Sequence, residues 1–161
     1  MRLIRAEALY KEALEIFKGF GAESENVGAT LTDLGNLAYT QGDYPKAMGY
    51  HQKSLEMVQR LKDESGIAVS FGNLGDVALA EKDSEQAREY YQEAMKIFQK
   101  IGRVDSIANQ KCNLGKVEEK LGNYLQAKEF FEEALEAYQR LGAKKRIAEA
   151  QEAIRRVGEE R

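Results

Sequence analysis

Apolar residues in this chain recur every three or four positions, the spacing that lays them along one face of a helix. Ala87, Tyr90, Tyr91, Ala94, Met95 and Phe98 form one such stripe, and Ala127, Phe130, Phe131, Ala134, Leu135 and Tyr138 form another. Upstream of the first, Ile67, Ala68, Phe71, Leu74, Gly75 and Ala78 make a second kind of stripe. The two kinds alternate, so the chain reads as helices in pairs. Between the members of a pair stand Gly42-Asp43, Lys82-Asp83-Ser84 and Gly122-Asn123. Each predicts a left-handed C-terminal cap followed at once by an Asp or Asn that can cap the next helix. Pro45 falls in a first helical turn, where its missing N–H is tolerated. Connections this short make consecutive helices antiparallel neighbours.

The pairs are copies of one unit. Leu34-Gly35 returns as Leu74-Gly75 and Leu114-Gly115, a period of 40 residues, and three further series keep it: Ala47, Ala87, Ala127; Ile67, Ile107, Ile147; Leu61, Ile101, Leu141. Leu37, Val77, Val117 and Val157 carry the register to the C-terminal end. The recurring glycines fall in mid-helix, where Gly costs about 1 kcal/mol relative to Ala. Their equivalent placement predicts close approach of the paired helix, with Ala47, Ala87 and Ala127 as the small residues opposite. The register divides the chain into an unpaired second-type helix (1–22), repeats at 23–63, 64–103 and 104–143, and a capping helix (144–161). Arg155 stands at the glycine position of that last helix, which suits a face turned to solvent. At the other end Leu3 and Ile4 are apolar where the second copy has Ser84 and Glu85. That face is expected to meet another protomer or an upstream segment.

Composition narrows the function classes. At 161 residues, 43% hydrophobic and 32% charged, the chain is too apolar for a disordered tail and has no apolar run of the roughly 18 residues a membrane span needs. Net charge is −3, from 24 basic and 27 acidic residues intermixed along the chain. Phosphate neutralisation needs a basic field, so nucleic acid is not the expected partner. Cys112 is the only cysteine, the start lacks the apolar core of a signal peptide, and a cytoplasmic setting fits both. Fourteen glycines against one proline imply short turns and few long loops.

These blocks resemble the tetratricopeptide repeat. Its pattern is matched by Leu34-Gly35, Ala38, Gly42-Asp43-Tyr44, Ala47, His51 and Ser54. It is matched again by Leu74-Gly75, Ala78, Asp83, Ala87, Tyr91 and Ala94, and by Leu114-Gly115, Gly122-Asn123-Tyr124, Ala127, Phe131 and Ala134. The usual unit is about 34 residues and often ends in Pro. Here it is longer and keeps Gln59, Gln99 and Gln139 near that place, similar to the extended repeats of Pins/LGN adaptors, kinesin light chains and bacterial peptide-sensing regulators. The resemblance implies an all-α, right-handed superhelical solenoid of antiparallel helix pairs, whose first helices line a concave wall. It places peptide contacts at Thr32, Asp33, Asn36 and Thr40, at Val69, Gly72, Asn73 and Asp76, and at Asn109, Cys112, Asn113 and Lys116. Asn36, Asn73 and Asn113 carry carboxamides, which both donate and accept and so suit an extended backbone; Gly72 would leave that backbone room. The family's carboxylate clamp needs Lys and Arg where Thr32, Asn109 and Asn113 stand, so that ligand is not expected. Asp33 and Asp76 early, with Lys116 and Lys120 late, imply a segment basic at one end and acidic at the other.

Catalytic constellations are lacking. His51 is the sole histidine and shares its register with Tyr91 and Phe131, so it is expected to fill an aromatic slot. One thiol, Cys112, without a partner makes a poor nucleophile or metal site. Glu118-Glu119 and Glu132-Glu133 read as solvated helix faces with i,i+4 partners. No Gly-rich phosphate cradle occurs, and the aromatic residues fall on the buried stripes. No cofactor is expected. The chain thus reads as a non-catalytic scaffold for a protein or peptide partner, binding an extended peptide or a partner helix. The alternative is a self-assembling module or a sensor fragment of a larger signalling protein.

Overall fold

The computed structural model describes residues 2–20 and 25–159, with the side chains of residues 2–7, 18 and 20 left aside. Among the described residues eight helices follow one another: α1 (Arg2–Phe20), α2 (Glu25–Thr40), α3 (Tyr44–Arg60), α4 (Glu64–Ala80), α5 (Ser84–Lys100), α6 (Val104–Lys120), α7 (Tyr124–Arg140) and α8 (Lys144–Glu159). Each packs on its neighbours in sequence, in antiparallel pairs, and α2 also touches α4. Leu3 and Ile4, two positions singled out in the sequence, lie outside the described side chains.

One turn chemistry is used six times from α2 onward. The last carbonyls of each helix are taken by the two N–H groups that follow, as in Asp43 N–H to Ala38 C=O (3.0 Å) and Gly42 N–H to Tyr39 C=O (2.9 Å). This pairing requires a left-handed residue after the helix. Gly42, Gly102, Gly122 and Gly142 supply it, and Lys62 and Lys82 adopt it as non-glycines with φ of 56° and 68°. Asp43 and Asp83 then cap the next helix, accepting from the backbone N–H of Lys46 (3.3 Å) and Gln86 (3.1 Å). Asn123, expected to do the same for α7, makes no such cap. Its amide donates instead to Glu118 Oε2 at 2.8 Å.

The core is a succession of clusters between the helices, built from alanine, aromatic and branched aliphatic side chains. The mid-helix glycines explain the tightest approach, with a different partner from the one expected. A Cβ at Gly35, Gly75 or Gly115 would lie within 2.7 Å of ring atoms of His51, Tyr91 and Phe131 respectively. The glycine therefore seats the ring of the paired helix, and Ala47, Ala87 and Ala127 are fully buried. A second correction concerns Glu118. Rather than facing solvent, it is 1% exposed and accepts from Arg88 Nε (2.8 Å) and Nη2 (3.1 Å) across the α5–α6 contact. Its neighbour Glu119 is held by Arg156 of α8 through two hydrogen bonds of 2.5 and 2.7 Å. At the chain ends the helices differ. Arg155 is exposed on α8 and paired with Glu152, whereas α1 leaves Leu9 57% and Ile16 51% exposed.

Candidate functional site

The first helices α2, α4 and α6 carry the twelve residues named as peptide contacts, and the structure brings half of them to one place. Val69, Gly72, Asn73 and Asp76 of α4 face Asn109 and Asn113 of α6 across a cleft of about 190 Å³. Ser106 and Gln110 complete its α6 side, and Phe98 of α5 contributes from below. Helical spacing is the reason: residues three and four apart on one helix present a single ridge, and two such ridges leave a furrow between α4 and α6.

The polar groups of the cleft are partly engaged already. Tyr91, buried against Gly75, donates its hydroxyl to Asp76 Oδ1 at 2.7 Å. Asp76 opens to the cleft yet is walled by protein on its other sides. That burial raises its carboxyl above the usual range, against the Tyr91 hydrogen bond and the positive charge of Lys116. The same neighbourhood pushes the Tyr91 hydroxyl up, by burial first and then by the Asp76 charge, so it stays a donor. Asn109 Oδ1 accepts from the Tyr138 hydroxyl at 2.9 Å, leaving its amide hydrogens to donate. Lys116 Nζ reaches Asn113 Oδ1 at 3.2 Å.

The other named residues lie elsewhere. Asp33, Asn36 and Thr40 are exposed along α2, outside the cleft. Thr32 is half-buried, its hydroxyl 2.8 Å from Ser54 Oγ and 3.2 Å from the Gly28 carbonyl, and it lines a second cleft of about 250 Å³ with Ala29, Val69 and Ser70. Cys112 faces the core between α6, α7 and α8, where burial raises its thiol and disfavours the thiolate. Gly72 is buried, and the room above it is taken by the Gln110 amide, 3.4 Å from where a Cβ would be. Lys116 lines a separate hollow of about 500 Å³ with Leu79, Glu119, Lys120, Tyr124 and Arg156, which gathers the basic end of the wall.

Gln110 is the residue that reading the sequence missed. Its repeat equivalents are Thr30, Ser70 and Ala150, so a long amide in a small-residue slot, beside the unique Gly72, was the available signal. His51 occupies the ring seat over Gly35, and burial lowers its pKa to about 4, which keeps it neutral and unsuited to acid–base work at neutral pH. Among the described residues no three His, Cys, Asp or Glu side chains gather to hold a metal ion, and no helix is long and apolar enough to cross a membrane.

Comparison with known proteins agrees with this architecture. The sequence profile described as "Tetratricopeptide repeat" matches residues 1–60, 41–100 and 66–140. No curated protein matches the chain. Among solved structures, BtubC (BKLC) from P. vanneervenii superposes with a TM-score of 0.78 at 25% identity, over 93% of this chain and 63% of that one. Aspartyl phosphate phosphatase F from Bacillus subtilis gives a TM-score of 0.86 at 18% identity, over 96% and 44%. The STAND protein PH0952 of Pyrococcus horikoshii, which carries a tetratricopeptide repeat sensor, gives 0.85 at 22% identity, over 94% and 24%. The latter two share the fold alone. The chain spans less than two thirds of the length of each of these structures.

Proposed function

The chain belongs to the tetratricopeptide-repeat family, and from that membership we propose that it is a non-catalytic protein-interaction module that grips an extended peptide segment along the wall of first helices. Repeats of this family generally serve as protein-interaction modules. The observation that carries the finer reading is the cleft between α4 and α6, where Asn73, Asn109, Gln110 and Asn113 offer carboxamides beside Asp76 and Val69. Carboxamides satisfy both the donors and the acceptors of a main chain. Asp76 at one end and Lys116 with Lys120 at the other orient a segment by charge.

A synthetic peptide array supplies candidate segments, and backbone-amide NMR titration locates them. Binding segments are expected to shift Asn73, Asn109 and Asn113. The double reversal Asp76→Lys with Lys116→Asp is expected to change their affinities at least tenfold; unaltered affinities would refute the groove. A second reading, self-association through α1, is favoured by the exposed Leu9 and Ile16. It predicts a mass that rises with concentration in light scattering and shifts confined to α1.

A further inference from the structure

Two acceptors of the α4–α6 cleft, one on each helix, stand apart from its carboxamide donors. Of the residues lining it, Asp76 alone is ionisable. One of its oxygens takes the Tyr91 hydroxyl, and the other has no hydrogen-bond partner among the described residues. Facing it from α6, Gln110 is 8% exposed, and its Oε1 is buried without a hydrogen-bond partner among the described residues. A buried acceptor left unpaired is destabilising, and native structures keep few of them.

The repeat does not require this arrangement. At the same register Thr30 satisfies its own hydroxyl on the Asn26 carbonyl at 2.7 Å, while Ser70 and Ala150 are small. The third repeat alone places a long amide there, and it does so over Gly72, whose equivalents are Thr32, Cys112 and Glu152. The missing side chain at Gly72 leaves the amide room to turn its oxygen toward a donor entering the cleft. The approach to that donor site is apolar, with Val69 44% exposed at the rim and Phe98 below.

We propose that this cleft is an anchor subsite for an arginine side chain of the bound segment, its aliphatic stem on Val69 and Phe98 and its guanidinium donating to Asp76 and to Gln110 Oε1. The proposal rests on the interaction-module reading. A guanidinium fits the two acceptors because it is a planar fork of five N–H donors with no acceptor of its own. A carboxamide would set its own oxygen against the Asp76 carboxylate, and an ammonium is a point charge that does not span two acceptors. The volume of about 190 Å³ admits one side chain but not a helix of about 10 Å diameter. Lys116, whose charge reaches Asp76, is bonded to Asn113 and lines the neighbouring hollow with Glu119; among the described residues it makes no hydrogen bond to Asp76, which leaves that carboxylate to an incoming donor.

The test uses three blocked pentapeptides of alanine with arginine, citrulline or norleucine at the centre, titrated into the full chain while the side-chain amides of Gln110, Asn73 and Asn109 are followed by NMR. The arginine peptide is expected to shift these amides and to bind about tenfold more tightly than the other two. Asp76→Asn, which keeps an acceptor for Tyr91, should bring it down to the citrulline level. Gln110→Met should weaken it several-fold while raising the urea midpoint, because an unpaired carbonyl leaves the core. Equal affinities for the three peptides, arginine shifts mapping elsewhere, or an Asp76→Asn variant that binds as before would overturn the subsite. Array-selected segments that map to α4 and α6 but ignore replacement of arginine by citrulline would overturn the subsite alone. Segments that map nowhere on the first-helix wall would overturn the module reading as well.

Discussion

The first and third repeats each bury a titratable side chain where the other copies have an apolar one, and the two are treated oppositely. His51 fills the ring slot held by Tyr91 and Phe131, and Glu118 fills the slot held by Ala38 and Ala78. Both are 1% exposed. Glu118 receives three donors, two from Arg88 and one from Asn123, whereas His51 Nδ1 has no partner among the described residues. The partners of Glu118 come from outside its own helix: Arg88 from the helix before, Asn123 from the turn after. Forty residues upstream the equivalent contact is Met48 against Ala78, wholly apolar. A stacked repeat therefore admits a buried charge only where the adjacent unit changes with it. His51 shows the other outcome, in which the group stays neutral because nothing pairs it.

Breaking the satisfied site is expected to have the largest effect. Arg88→Met restores the upstream residue type but leaves Glu118 buried with Asn123 as its remaining donor. Removing one partner of a buried ion pair typically costs about 3–5 kcal/mol, and the remaining Asn123 bond places this case near about 3 kcal/mol. Urea denaturation measures it directly. Adding Glu118→Ala reproduces the Met48–Ala78 contact and should recover most of the loss. A single variant within about 0.5 kcal/mol of the parent would mean that the pair behaves as an exposed one.

Curing the unsatisfied site is expected to show as a change of pH dependence. His51 has a folded pKa of about 4, below its ordinary 6.5. Between these values the unfolded chain binds a proton that the folded chain does not, so stability falls as pH drops below 6.5 and levels off below about 4. By pH 4.5 the loss is about 2.5 kcal/mol. His51→Phe installs the Phe131 arrangement over Gly35 and should lack that component. The difference between variant and parent, read from urea midpoints at pH 7.5 and 4.5, isolates it from the carboxylates common to both. Parallel acid losses in the two proteins would show that His51 is charged in the fold.

These contrasts also mark what the chain discloses before it folds. The helices, their pairing and their turns were legible because each is set within a few residues, by the apolar stripe, the left-handed Gly42 or Gly122 and the Asp43 or Asp83 cap. The need for Gly75 was legible too, but that Tyr91 fills the space depends on the rotation of α5 against α4. Glu118 beside Glu119 and Lys120 reads as surface, because its partner Arg88 is thirty residues away in sequence. In the candidate site, Asn73, Asp76, Asn109 and Asn113 were named through the tetratricopeptide resemblance, and the structure brings them to one cleft. Thr32 and Cys112 lie on the same helical register but turn toward the paired helix, where Ser54 and Tyr138 meet them. A rotation of less than one residue step decides between wall and core, and local pattern does not resolve it.

The second repeat makes its departure in the backbone, and restoring it should give the smallest effect. Lys82 holds the left-handed conformation at φ 68° where Gly42 and Gly122 hold it at 78° and 80°. A side chain there crowds its own carbonyl and costs about 1 kcal/mol or somewhat more. Glycine removes the crowding but widens the unfolded ensemble, which offsets about half of the gain. Lys82→Gly should therefore stabilise the fold by about 0.5 kcal/mol, visible as a higher urea midpoint with unchanged slope. Lys82→Ala keeps the Cβ and should gain nothing, so equal gains in the two variants would assign the effect to lost lysine charge. The effect is small beside those at Arg88 and His51 because Lys82 stays in water, where strain is not compounded by an unpaired buried group.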